Sequence, residues 1–264
     1  DVNFSILFNA CAQLKTKEAL DLLKKTSKQI PKSFYSNPYL LTSLLDALMK
    51  CGDVAYAESL FYSSQQKVLP MYGAMMKGYV DNNLLEKAID LFNEIENPND
   101  ANVTILFNAC AQLKTKEALD LVKKTSKQIP KSFYSNPHLL TSLLDALMKC
   151  GDEAHAESLF YISKQKVLPM YGAMMKDALM KCGDAAHAES LFYSSKHKVL
   201  PMYGAMMKGY VDNNLPEKVI NLFNEIENPN DVNMILLFNA CAQLKTKEAL
   251  DLVKKTSKEF PKSF

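Results

Sequence analysis

Arginine and tryptophan are missing from the 264 residues altogether, and glycine occurs only 8 times. Without arginine, all 31 basic residues are lysine. Any anion is then held by compact ammonium charges, never by a planar bidentate fork. Few glycines leave little material for phosphate-cradling loops. Neither a nucleophile elbow nor a metal cluster can be read, so no cofactor, metal site or catalytic constellation is expected. No run of about 20 apolar residues occurs, and no membrane span is expected. The formal net charge of +2 argues neither for nor against a nucleic-acid partner. The chain starts at Asp1 in the middle of a pattern and reads as a fragment or processed form, so the lack of a leader carries no weight.

Six cysteines are present: Cys11, Cys51, Cys110, Cys150, Cys182 and Cys241. An even number invites a disulfide reading. Each, however, closes an apolar helical pattern at a near-equivalent place in a repeat. Residues a whole repeat apart are too distant for a bond that needs Cα atoms within about 7 Å. Buried small hydrophobes in a reducing compartment are expected instead.

Repetition is the dominant signal. LFNACAQLKTKEALDL occurs intact at 7–22, 106–121 and 237–252. Leu7, Ala10, Cys11 and Leu14 recur at i, i+3, i+4, i+7 and mark one helical face, and after Lys15-Thr16 a second helix carries Ala19, Leu22 and Leu23. A second kind of unit has Leu44, Ala47, Leu48 and Cys51 on its first helix, a turn and cap at Gly52-Asp53, and Ala57, Leu60 and Phe61 on its second. A third has Met75 to Tyr79, then Ala88, Leu91, Phe92 and Ile95. Asn37-Pro38 and Asn97-Pro98 punctuate unit ends, with proline suited to a first helical turn. No segment alternates as a strand would. The expected architecture is all-α: an α-solenoid, right-handed or similar, of helix–turn–helix units that stack because none can bury its faces alone. Eight units are expected, at 1–37, 38–68, 69–99, 100–136, 137–167, 168–199, 200–230 and 231–264. Unit 168–199 joins the start of one kind (MYGAMMK) to the end of another (DALMKCGDAAHAESLF) and is expected to be irregular near Lys176-Asp177.

The tetratricopeptide pattern, with its large first-helix residue and Leu-Gly step, does not fit. LTSLLDALMKCGDVAYAESLF (41–61) resembles the long-type motif of the pentatricopeptide repeat family, with its Lys-Cys-Gly. VLPMYGAMMKGYVDNNLLEKAIDLFNEI (68–95) resembles the short-type motif, and VNFSILFNACAQLKTKEALDL (2–22) the companion P-type motif. The order of the three resembles that family's composite class, found among organellar RNA-editing factors.

The resemblance implies capture of single-stranded RNA, about one base per repeat, along the first helices. Splayed single-stranded bases suit such modular readout. In the family the fifth and last residues of a repeat read the base and the second sandwiches it. The resemblance thus assigns base reading to Ser5 with Asn37, Thr104 with Asn136, Thr42 and Thr141 in the long units, and Asn99 and Asn230 in the short ones. It assigns sandwiching to Val2, Ala101 and Val232. Gly73, Gly204, Gly172, Val68, Val167 and Val199, at the remaining reader positions, offer a base no side-chain hydrogen bond. Lys50 and Lys149, ending first helices, are assigned to the RNA backbone. Lys24, Lys25, Lys28 and their copies form a basic stripe on second helices, read equally as a solvated outer face.

His155-Ala156-Glu157 and His187-Ala188-Glu189 fit half of a zinc-deaminase signature. The motif recurs in phase with the repeat, its first copy reads Tyr56-Ala57-Glu58, and no C-x-x-C is present, so it is read as a structural helix. The chain is expected to be no enzyme. An editing enzyme or other protein would act in trans, and the resemblance implies a mitochondrion or other organelle, otherwise the cytoplasm. The alternative reading is a scaffold whose groove, lined by Tyr72, Met75, Met76 and their copies, grips an extended peptide or partner helix. A third is a recombined fragment that folds but binds little. Self-association is expected through apolar end surfaces at Val2/Phe4 and Phe260/Phe264.

Overall fold

A computed structural model of the chain describes residues 2–30, 37–130, 132, 135–162, 170, 172, 174, 185–195 and 198–259. Among them the regular structure is helical, with no strand. Two compact units divide the chain, Asp1–Asp152 and Glu153–Phe264. The first carries α1 (Val2–Leu14), α2 (Lys17–Gln29), α3 (Pro38–Lys50), α4 (Val54–Ser63), α5 (Leu69–Asp81), α6 (Leu85–Asn93), α7 (Asp100–Leu113), α8 (Lys116–Gln128) and α9 (Pro137–Lys149). The second carries α10 (Glu153–Ile162), α11 (Ala185–Ser194), α12 (Leu200–Asp212), α13 (Pro216–Phe223), α14 (Asp231–Leu244) and α15 (Lys247–Glu259). The expected irregularity at Lys176-Asp177, Cys182, and the end surface at Phe260 and Phe264 lie outside the described residues.

Local chemistry sets the helix ends. Thr16, Thr115 and Thr246 each accept the third backbone N–H of the following helix, at 3.2, 3.1 and 3.1 Å, so KTKEA starts a second helix three times. Asn37 and Asn136 cap α3 and α9, with Pro38 and Pro137 in the first turn where a missing N–H costs nothing. Gly52, at φ +84°, reverses the chain after α3. Asp53 then caps α4 by accepting Tyr56 N–H at 3.1 Å. Asn99 caps α7 in a reciprocal box with Asn102, as Asn230 does for α14 with Asn233.

In the first unit α1, α3, α5, α7 and α9 pack each on the next, and each of α1, α3, α5 and α7 also packs on the helix that follows it. One sequence is buried differently according to its neighbours. In α7, with α5 and α6 against it, Leu106 and Ala109 are fully buried. Their identical copies in α1, which packs on α2 and α3, are half-buried at Leu7 and exposed at Ala10, and Leu14 is 65% exposed. The face marked by the sequence is therefore closed only where another hairpin covers it.

Three further expectations change. The methionines do not line a groove: Met71, Met75, Met76, Met202, Met206 and Met207 are all core, and Tyr72 packs edge-on against Phe61 with ring centroids 5.2 Å apart. Ile95 falls beyond the end of α6 at Asn93. The cysteines of successive hairpins are also less remote than whole-repeat spacing suggests. Cys51 Sγ lies 3.6 Å from the Cys11 carbonyl oxygen, and Cys150 Sγ lies 3.4 Å from that of Cys110, because α1 stacks directly on α3 and α7 on α9. Cys11, Cys51, Cys110, Cys150 and Cys241 form no disulfide; Cys11, Cys110 and Cys241 are buried, Cys51 and Cys150 half-buried. Burial, with neighbouring Cys150, pushes the Cys110 thiol up to about 12, which keeps it protonated and unreactive.

Close approach is decisive at one glycine. A Cβ on Gly78 would fall within 2.6 Å of Met49 Cγ and Cε, so α5 lies on α3 only because Gly78 has no side chain. Two polar clamps tie hairpins together. Glu58 on α4 accepts Tyr79 O–H at 2.8 Å and Lys87 N–H at 2.6 Å. In the second unit Glu189 accepts Tyr210 at 2.8 Å and Lys218 at 2.6 Å. Partial burial pushes both carboxyls up, but the hydrogen bonds and lysine charge outweigh it and hold them below the usual range.

Gly78→Ala is expected to destabilise the protein by roughly 1–3 kcal/mol in urea melts. Gly73→Ala, whose Cβ meets nothing nearer than Asn102 Nδ2 at 3.5 Å, is expected to be neutral or mildly stabilising. Because the clamp carboxyls are depressed on folding, their contribution is complete above the unfolded carboxylate range and fades as pH falls through the folded value. Glu58→Gln with Glu189→Gln should therefore lower stability at pH 7 and flatten its decline below about pH 4.5, read by urea melts across that range.

Candidate functional site

In the first unit α5, α7 and the start and end of α9 enclose a groove of about 570 Å³. Lys77, Val80 and Asp81 line it from α5, and Asp100, Ala101, Thr104, Ile105, Asn108 and Gln112 from α7. Asn136, His138, Asp145 and Lys149 complete it. Its hydrogen-bonding groups are partly committed. Thr104 donates its hydroxyl proton to the Asp100 carbonyl at 2.7 Å, so only its lone pairs face outward. The Asn136 Oδ1 accepts the backbone N–H groups of His138 and Leu139, at 2.9 and 3.5 Å, and its Nδ2 donates to Asp100 Oδ2 at 2.6 Å. Lys149 is tied one helical turn back to Asp145 at 2.7 Å, which cancels much of its charge.

Four residues singled out in the sequence meet here: Thr104, Asn136, Ala101 and Lys149. In the second unit Asn230 and Val232 line another groove, of about 500 Å³, with Leu200, Pro201, Gly204, Ala205 and Leu236. That wall is mostly apolar, with Lys208, Asp212 and Asn233 as its other polar members. The remaining candidates are elsewhere. Ser5 is half-buried on α1, and Val2 begins that helix. Thr42 and Thr141 give their hydroxyl protons to the Pro38 and Pro137 carbonyls at 2.6 and 2.7 Å, and neither lines these two grooves. Asn37 and Asn99 are helix caps, and Asn99 lines neither groove. Lys50, like Lys149, is paired within its own helix, to Asp46 at 2.7 Å.

His138, an exposed residue in the first turn of α9, also lines the groove of the first unit and is not among the residues singled out in the sequence. His138 is the second residue of unit 137–167, the position by which Ala101 was chosen. The same rule in unit 38–68 gives Tyr39, which is 76% exposed. Lysines on second helices divide in two. Lys24 and Lys123 reach across hairpins to Asp53 and Asp152, whereas Lys25, Lys28, Lys124 and Lys127 are exposed. The His-Ala-Glu copies are built into packing. Ala156 and Ala188 are fully buried, His187 Nε2 lies 3.0 Å from Glu157, and Glu189 forms a clamp. Among the described residues, no group of three or more His, Cys, Asp or Glu could hold a metal ion.

Stacked helical hairpins with grooves lined by their first helices define a helical-repeat protein. The family model of the PPR repeat matches residues 39–67, 70–97 and 201–228. A mitochondrial pentatricopeptide repeat-containing protein of Arabidopsis thaliana is 32% identical over 180 residues, 66% of this chain and 25% of the relative. A chloroplastic one from the same plant is 30% identical over 183 residues, 66% of this chain and 26% of the relative. The crystal structure of the pentatricopeptide repeat protein PPR10 from maize is similar over 92% of this chain and 36% of that one, with TM-score 0.73 and 15% identity. PPR10 in complex with an 18-nt psaJ RNA element is similar with TM-score 0.64 and 16% identity, over 92% of this chain and 37% of that one. The chain belongs to the pentatricopeptide repeat family, and it spans about a quarter of the length of these curated plant relatives.

The pairing of Lys149 with Asp145 gives a direct test. Asp145→Asn should free the ammonium and delay elution from heparin, while Lys149→Ala should advance it. The difference between the two should shrink as salt rises.

Proposed function

We propose that the chain binds single-stranded RNA in the grooves along its first helices, as an array of eight repeats at the boundaries read from the sequence, about one base per repeat. One observation carries this reading. The reader pair Thr104 and Asn136, the sandwiching position Ala101 and the backbone lysine Lys149 line one groove. Thr104 and Asn136 meet the edge of an unstacked base, Ala101 and the His138 imidazole flank its faces, and Lys77 and Lys149 lie where phosphates pass. An aromatic ring at such a place suits base stacking. PPR10, which shares the fold, was crystallised with an RNA element. The mitochondrial and chloroplastic relatives favour an organellar setting, and the role proposed there is RNA processing or editing. The chain itself contributes recognition, and any editing enzyme acts in trans. Because Lys50 and Lys149 are internally paired, the phosphate contribution is modest and the salt slope shallow.

A second reading has one observation in its favour. The groove of the second unit presents Leu200, Pro201, Val232 and Leu236, and Ile235 beside it is 58% exposed. Such a wall suits an apolar protein segment better than a base edge.

Fluorescence anisotropy with short poly(A) RNA, poly(U) RNA and the DNA version of each, at two salt concentrations, separates the readings. RNA-selective binding that prefers one homopolymer and is lost in Thr104→Ala/Asn136→Ala is the expected result. Equal weak binding to all four, vanishing with salt, would overturn it in favour of the protein scaffold.

A further inference from the structure

We propose that Asp100 is a positioning residue: its carboxylate fixes the Asn136 amide, and through it the base preference of the Thr104–Asn136 site. The inference rests on the RNA reading above.

An asparagine that reads a base must present a defined end of its amide. The helix cap decides half of that. Asn136 Oδ1 faces the His138 and Leu139 backbone N–H groups, at 2.9 and 3.5 Å. A cap alone is one anchor, and the amide plane can still rock about it. The second anchor is Asp100 Oδ2, which accepts Nδ2–H at 2.6 Å. An amide turned end for end would set Oδ1 against a carboxylate and NH₂ against backbone N–H, so both contacts oppose the flip. One Nδ2 hydrogen remains, on the side away from Asp100.

The same residue settles the polarity of Thr104, whose hydroxyl proton is spent on the Asp100 carbonyl at 2.7 Å. The pair therefore shows a ligand one donor, from Asn136, and one acceptor, at Thr104. Asp100 is itself held firmly. It opens α7 directly after Asn99, whose capping box with the 1% exposed Asn102 closes through bonds of 2.9 and 3.4 Å. Aspartate also opens the other two LFNACAQL units, as Asp1 and Asp231, and Asn37 follows Asp1 at the spacing by which Asn136 follows Asp100.

Asp100 has a second effect, opposite in sign. It sets a negative charge in a groove that phosphates must approach, which lowers general affinity. Holding the amide and repelling phosphate are separable. Asp100→Asn keeps an acceptor for Asn136 and removes the charge, whereas Asp100→Ala removes both.

The test is enrichment from a random-sequence single-stranded RNA pool by the full 264-residue chain, as wild type, Asp100→Ala, Asp100→Asn and Asn136→Ala, with thermal melts to establish that each variant is folded. The expected result is a wild-type motif in which Asp100→Ala and Asn136→Ala flatten the same single position by at least about fivefold. Asp100→Asn should keep that preference within about twofold while total RNA retention rises. Preference unchanged in Asp100→Ala, or a uniform loss at every position in a folded variant, overturns the positioning role. A wild type that enriches no sequence overturns the RNA reading, and this proposal with it. The Asn136 side-chain NH₂ resonances distinguish the failures. They shift between wild type and Asp100→Ala if the anchor exists, whatever the RNA result.

Discussion

A hairpin of two helices, 8 to 14 residues each, is too small to cover its own apolar faces, and the packing of each unit follows from that shortage. Burial is lent by neighbours. Ala109 is sealed because α5 and α6 close over α7, whereas Ala10, in an identical stretch of sequence, is exposed. Identity of sequence therefore does not fix burial, and place in the stack does. A hairpin needs only faces that suit those on either side, so apolar phase matters more than pedigree.

Stacking alone does not fix how neighbouring hairpins meet. Polar links cross from one to the next: Glu58 to Tyr79 and Lys87, Lys24 to Asp53, Lys123 to Asp152. These links consume charge. Lysines that a composition count offers to a polyanion are in part already neutralised by the fold, Lys50 and Lys149 within their own helices and Lys24 and Lys123 across hairpins. What is left for a ligand in the first unit is a groove with few free charges and several oriented dipoles. Such a surface favours discrimination over raw affinity.

The helix boundaries were legible in the sequence because their signals are local. Thr16, Asp53, Gly52 and the Asn37-Pro38 and Asn136-Pro137 steps act within a turn of where they stand, whereas Asn97-Pro98 lies ahead of the cap that Asn99 supplies to α7. The Thr104–Asn136 meeting was legible only through family resemblance, since 32 residues separate the two in the chain. What stayed hidden depended on which helix lies beside which. Met75 and Met76 read equally as groove or core until α3 and α7 are placed against α5. The approach of Cys51 to Cys11 appears only when α1 is laid on α3. His138 is legible too, because it holds in its unit the second position that Ala101 holds in the one before. The Lys149–Asp145 pair was equally available, as an i,i+4 spacing on a helix.

The methionines carry one more implication. Met71, Met75 and Met76, and their counterparts Met202, Met206 and Met207, have 0–1% of their surface exposed. A peroxide reaches their thioethers only when a hairpin lifts off its neighbour. Sulfoxide formation at these sulfurs is then a clock for local opening. It is also a ratchet, because an oxidised methionine is polar and does not fit back between α3, α5 and α7. Under peroxide stress the lifetime of such an array would be set by how often its joints breathe, and not by how strongly the whole chain resists unfolding.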